Sequence, residues 1–193
     1  MTKWLGHRMV ERGIIKEEEQ ELYQFGIRNG MILLLNVVTA LVIGLLTEQL
    51  AVVAVFTLSF MVLRSYTGGY HSDSRVFCYL GSNLVLLVPV YTQAVFYKTS
   101  LAWLLAVLLV SAGIIFLLSP MHSKNRKLDK EEQKHFGRKA RLIAALELAV
   151  LGILWHAGQI PYAYAVYTGI CITALFMLVG KAQLWIQSHT ENG

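Results

Sequence analysis

Apolar residues along this chain fall in long blocks rather than at amphipathic spacing, with short polar breaks between them. The blocks cover about Gly30–Thr47, Leu50–Ser65, Leu80–Tyr97, Leu101–Ser119, Leu142–His156 and Tyr162–Gly180. Several approach the roughly 20 residues that a helix needs to cross a bilayer core. The pattern predicts an all-α integral membrane protein with about six transmembrane helices. The second and fifth blocks are short for a full crossing, so four full spans with two interfacial helices is the alternative count. Pro89 falls inside the third block and predicts a kink there. Residues 1–29 read as a cytoplasmic or interfacial segment, and residues 30–193 as a single polytopic membrane domain.

Composition sharpens the class. Of 193 residues, 55% are hydrophobic and 15% charged, and the mean hydropathy is +0.52. A soluble domain carries nearer 25% charged residues. The N-terminal segment is too long and too acidic for the basic region of a signal peptide. Two cysteines, Cys78 and Cys171, are too few for a disulfide framework. A net charge of +5 is small, and suits anionic lipid or an acidic peptide better than nucleic acid.

Charge placement then orients the chain. Lys3, Arg8, Arg12, Lys16 and Arg28 precede the first block, and Arg64 and Arg75 flank the break after the second. Lys124, Arg126, Lys127, Lys130, Lys134, Arg138, Lys139 and Arg141 follow the fourth, and Lys181 follows the sixth. Of the 17 lysines and arginines, Lys98 alone falls on the other side of a six-span layout. The positive-inside rule therefore predicts cytoplasmic termini and a basic cytoplasmic loop over 120–141. "WLGHRMVERGII" mixes bulky apolar and basic residues and predicts an amphipathic helix in the headgroup layer. In "KEEEQELYQFGIRNG" the acids come early and Arg28 late, as a helix dipole favours. A plain orienting lead-in or a substrate-docking segment fits it equally.

The chemistry concentrates in "RSYTGGYHSDSRVFC", from Arg64 to Cys78, where Arg64, His71 and Cys78 recur every seven residues. A cysteine nucleophile works as thiolate, with a neighbouring histidine as base or ion-pair partner. Positions i and i+7 share a helix face, yet seven helical residues rise about 10.5 Å, whereas nucleophile and base must approach to about 3 Å. The backbone must therefore turn between His71 and Cys78. Gly68-Gly69 can end the preceding helix. Ser72, Asp73 and Ser74 are good N-cap residues. A cap at Ser74 would put Cys78 in the first turn of the next helix, where free N–H groups and the dipole favour a thiolate. Cys171, flanked by apolar residues in "GICITALF", reads as a core side chain. His71, Cys78, His122 and His135 lack the close pairing of a zinc site, so no metal or cofactor is predicted. Glu147 lies about 9 Å along a helix from Arg141. An acid at that depth faces a partner: Arg64 or a residue of the basic loop if its role is structural, His71 if it orients the base.

Taken together, "RSYTGGYHSDSRVFC", the later "SPMHSKNRKL", the basic stretch after it and the hydrophobic layout resemble the accessory gene regulator B (AgrB) family. The resemblance implies a cysteine endopeptidase in the membrane of a Gram-positive bacterium, its active site at the cytoplasmic face, processing the quorum-sensing precursor AgrD. It implies His71 and Cys78 as the catalytic pair, Arg64 and Gly69 as supporting positions, and a homodimer. An acyl-thioester on Cys78 would be resolved by the precursor's own thiol or hydroxyl, giving a cyclic thiolactone or lactone. AgrD precursors carry an acidic tail, which the basic loop, with Lys124, Arg126 and Lys127, would hold, Arg64 lying nearest the reacting centre. Topology or lipid binding is the other reading of that loop. A non-enzymatic peptide exporter or scaffold is the alternative for the whole chain.

Overall fold

A computed structural model describes residues 2–68, 75–121 and 129–190, with the backbone alone at 2, 3, 5, 6, 25, 28, 29, 75–78, 130 and 187–190. Among these residues the secondary structure is helical throughout. The helices are α1 (Thr2–Glu11), α2 (Gln20–Leu46), α3 (Leu50–Thr67), α4 (Arg75–Tyr91), α5 (Gln93–Lys98), α6 (Leu101–Leu118), α7 (Lys130–His156) and α8 (Ile160–Thr190). The chain forms two compact units, residues 1–39 and 40–193.

In the first unit, α1 carries Arg8 4.9 Å from the ring centre of Trp4 and an i,i+4 contact of His7 with Glu11 at 3.6 Å. A short 3₁₀ turn over Glu17–Glu19 leads into α2. The acidic lead-in and the first apolar block do not part at Gly30, because α2 runs unbroken from Gln20 to Leu46. No helix breaker stands between them, and Gly26 and Gly30 meet no obstacle.

The second unit is built around α8. Two-thirds of its apolar window (67%) is buried, against 33% for α3 and 17% for α6. One core cluster joins Val52, Val53 and Phe56 of α3 to Leu86 and Val90 of α4 and to Ala165 and Ile172 of α8. The other joins Leu63 of α3, Leu108 and Ile115 of α6, Ala144 of α7, and Val166, Ile170 and Met177 of α8. Small residues on α8 permit close approach: a Cβ on Gly169 would sit 2.6 Å from Ser59 Oγ. Such packing is how apolar helices associate where water supplies no driving force.

Of the three bilayer-length helices, the most apolar is also the least buried. α6 has a window hydropathy of 2.8, yet Leu109, Val110 and Leu117 stand open to the surroundings. A water-soluble protein would hide such a helix. α3, α6 and α8 each have the length and composition to cross a bilayer. α2 and α4 contribute shorter apolar stretches, Gly30–Leu46 and Tyr79–Tyr91.

Two predicted boundaries move. The third block is not one helix: α4 runs through Pro89 and stops at Tyr91, and α5 resumes at Gln93. Pro89 has no N–H to give to the preceding turn. At the break Thr92 donates both its N–H (3.0 Å) and its hydroxyl (2.6 Å) to Val88 O. The segment taken as a loop over 120–141 is helical from Lys130 onward. Asp129 caps α7, accepting from Glu132 N–H at 2.7 Å while the Glu132 carboxylate accepts from Asp129 N–H at 3.3 Å. This capping box joins the polar start and the fifth apolar block into one 27-residue helix.

Candidate active site at the α3–α4 junction

The end of α3 is set by Gly68. Its φ of +72° and ψ of −154° lie in a region that glycine alone adopts readily. The helix therefore stops at Thr67, and one continuous helix from Arg64 to Cys78 is excluded. On the far side of the break the chain re-enters a helix at Arg75, so Cys78 stands in the first turn of α4. The backbone N–H groups of such a turn have no partners within the helix and favour negative charge. His71 and Gly69 lie outside the described residues, as do Lys124, Arg126 and Lys127 and the proposed cap at Ser74.

Three helix ends meet at this junction. Met121 N–H, just beyond α6, donates to Thr67 O at 2.9 Å. Met121 O fills the space beside Gly68, where an added Cβ would lie 2.5 Å from it. On the other side Pro120 packs against α7, its Cδ 3.0 Å from where a Cβ of Gly137 would be. Arg141 Nε donates to Phe116 O at 3.2 Å and so satisfies a carbonyl of the last turn of α6. Tyr66 meets Phe136 at a ring-centre distance of 6.4 Å, with Lys139 Nζ 5.9 Å from the Tyr66 ring. The two polar passages that the sequence keeps far apart thus share one corner of the bundle: 64–68 and the stretch opening with Pro120 and Met121.

Arg64 is half-buried at this corner. It donates through Nη1 to Gly68 O, and its guanidinium carbon is 5.7 Å from the ring centre of Phe176 on α8. Glu147 corrects an expectation. Its partner is Ser59, whose hydroxyl donates to Glu147 Oε2 at 2.8 Å, and among the described residues Glu147 makes no ion pair with Arg64 or with the basic stretch. Ser59 lies about one and a half turns before Arg64 on α3, at the depth where it meets the acid. Sequence reasoning passed over Ser59 because one hydroxyl in an apolar run carries little signal. Gly169 was the available clue, since a glycine in the most buried helix marks a close crossing. Cys171 is half-buried on α8 beside the hydroxyls of Ser111 and Tyr167.

This combination of apolar exposed helices and a polar corner at which two of them break marks an all-helical membrane protein, with three helices long and apolar enough to cross a bilayer. The sequence matches the accessory gene regulator B (AgrB) family over residues 1–178, and the chain belongs to that family. Two AgrB-like proteins of Clostridium perfringens are each 24% identical to it over 148 residues, 74% of this chain and 69% of theirs. The accessory gene regulator protein B of Staphylococcus intermedius is 26% identical over 156 residues, 79% of this chain and 80% of its own. No solved structure matches the chain.

Proposed function

We propose that this protein is a cysteine endopeptidase of the bacterial cell membrane that cleaves an AgrD-like propeptide and promotes its cyclisation. The observation that carries the reading is that α3 ends at a glycine-enforced exit, Gly68, and α4 begins seven residues later at Arg75, with Cys78 in its first turn. Family membership supports the same assignment. In this reading the chain crosses the bilayer six times, with both termini and the α3–α4 junction on the cytoplasmic side of a Gram-positive cell.

The chemistry is acyl transfer. His71 takes the Cys78 proton, and the thiolate sulfur attacks a peptide carbonyl carbon of the precursor. The C–N bond breaks, the leaving amine takes the proton back from His71, and the precursor's N-terminal part remains as a thioester on Cys78. A cysteine thiol, or serine hydroxyl, within that part then gives its proton to His71 and attacks the thioester carbonyl, closing the ring as the C–S bond to Cys78 breaks and the Cys78 thiolate leaves beside the protonated His71. Thioester exchange is close to neutral in energy, so holding the precursor's thiol near and excluding water favours closure over hydrolysis. Lys124, Arg126 and Lys127 hold the precursor's acidic tail and contact anionic headgroups. The enzyme acts as a homodimer. Co-expression with its precursor tests the reading: Cys78→Ala and His71→Ala abolish cleavage and Cys171→Ala preserves it. Cleavage by Cys78→Ala would refute it.

A further inference from the structure

We infer that Arg64 acts as a positioning residue: with Gly68 and Met121 it clamps the exit of α3 and so fixes the direction in which the chain leaves this helix on its way to His71. The inference rests on the reading of His71 and Cys78 given above, and it assigns Arg64 to the protein's own backbone rather than to the substrate.

The geometry is that of a clamp closed from two sides. Arg64 lies one turn before Gly68 on α3 and donates to its carbonyl oxygen. That carbonyl belongs to the first peptide beyond the helix, so its direction sets the path of the chain towards His71. Phe176 of α8 lies 5.7 Å from the guanidinium carbon and supplies a π face that favours the cation there. From the opposite side Met121 N–H holds Thr67 O at 2.9 Å, and Met121 O occupies the space that a side chain at residue 68 would need. Thr67 itself is fully buried. The peptides on either side of Gly68 Cα are thus held by two different elements, and the exit direction is over-determined, as a residue at φ +72° requires. A planar guanidinium with a fixed fork of donors suits this task better than a flexible ammonium.

The test uses the full-length protein in liposomes, with a synthetic AgrD-type precursor and two readouts. Amide hydrogen exchange at Met121 reports the clamp, and kcat against KM reports what the clamp does. Arg64→Gln and, independently, Gly68→Ala are expected to speed exchange at Met121 at least tenfold while leaving the α8 core protected. Each lowers kcat about 100-fold, the scale of a misplaced catalytic group, with KM little changed. The double variant falls hardly further than either single one, because both open the same contact, and Arg64→Lys recovers part of kcat because its ammonium can still donate to Gly68 O. Slow iodoacetamide labelling of Cys171 in each variant certifies an intact bundle. Unchanged exchange at Met121 overturns the clamp, and faster exchange with normal kcat overturns its positioning role. A raised KM with normal kcat instead makes Arg64 a substrate contact and also overturns the inference. Failure of the thiol reading shows separately, as cleavage by Cys78→Ala, and leaves the Met121 exchange result standing on its own.

Discussion

Ser59→Ala isolates the hydrogen bond that Glu147 makes to α3. Ser59 is 8% exposed and donates to Glu147 Oε2 at 2.8 Å. Removing the hydroxyl leaves a half-buried carboxyl group without its donor, and a hydrogen bond to such an acceptor contributes about 2 kcal/mol. In a chain of this size that lowers Tm by roughly 4–8 °C. Gly169→Ala reaches the same bond from α8, since its new Cβ would lie 2.6 Å from Ser59 Oγ and 3.4 Å from Ser59 Cβ. It must push the hydroxyl off Glu147, and it is expected to cost as much as Ser59→Ala. In the Ser59→Ala background the struck atom is gone and only an ordinary 3.4 Å contact remains, so Gly169→Ala costs there about 0.5 kcal/mol or less. Thermal unfolding of the four proteins in detergent, followed by loss of helical circular dichroism, measures the cycle. Additive effects, or a Ser59→Ala protein as stable as the parent, would refute the account of Glu147.

Other expectations follow from single contacts. Gly68→Ala has to adopt φ +72° with a Cβ 2.5 Å from Met121 O, and costs about 3 kcal/mol or forces the α3 exit to move; Gly113→Ala, which meets nothing within 4 Å, leaves the unfolding free energy within about 0.5 kcal/mol of the parent. Asp129→Ala removes the acceptor for Glu132 N–H at the start of α7 and costs about 1 kcal/mol, read as a lower Tm that Asp129→Ser restores. Replacing Lys124, Arg126 and Lys127 together by glutamine raises KM for a precursor with an acidic tail and flattens its salt dependence, while a precursor with a neutral tail is cleaved as before; equal effects on both precursors would count against tail recognition.

Much of the fold was legible because bilayer-length apolar runs leave the chain few options. The second, fourth and sixth blocks correspond to α3, α6 and α8. Block edges were harder. Apolar content marks what can lie in lipid, whereas a helix ends where its last N–H and C=O groups find other partners. α2 and α7 therefore reach well into polar sequence, α7 because Asp129 and Glu132 cap it twelve residues before the apolar block begins. At the junction the break at Gly68-Gly69 was legible from glycine chemistry and the reach a nucleophile needs, and Cys78 does fall in a first turn. Its floor was not legible. That Met121 closes on Thr67 depends on how α6 packs beside α3, and no local signal near "SPM" announces a partner more than fifty residues away. For Glu147 the partner among the described residues is the Ser59 hydroxyl on α3, which no charge pattern announces, while His71 and residues 122–128 of the basic stretch lie outside them.

The central claim is that Cys78 carries the acyl group. Mass spectrometry of the protein quenched in acid during turnover of a precursor whose internal cysteine is replaced by alanine tests it directly, because ring closure is then blocked and the intermediate persists. The account predicts a hydroxylamine-sensitive adduct, with the mass of the precursor's N-terminal part, on the peptide containing Cys78 and absent from Cys78→Ala. Cleavage without any adduct at Cys78, or an adduct that survives in Cys78→Ala, would contradict it.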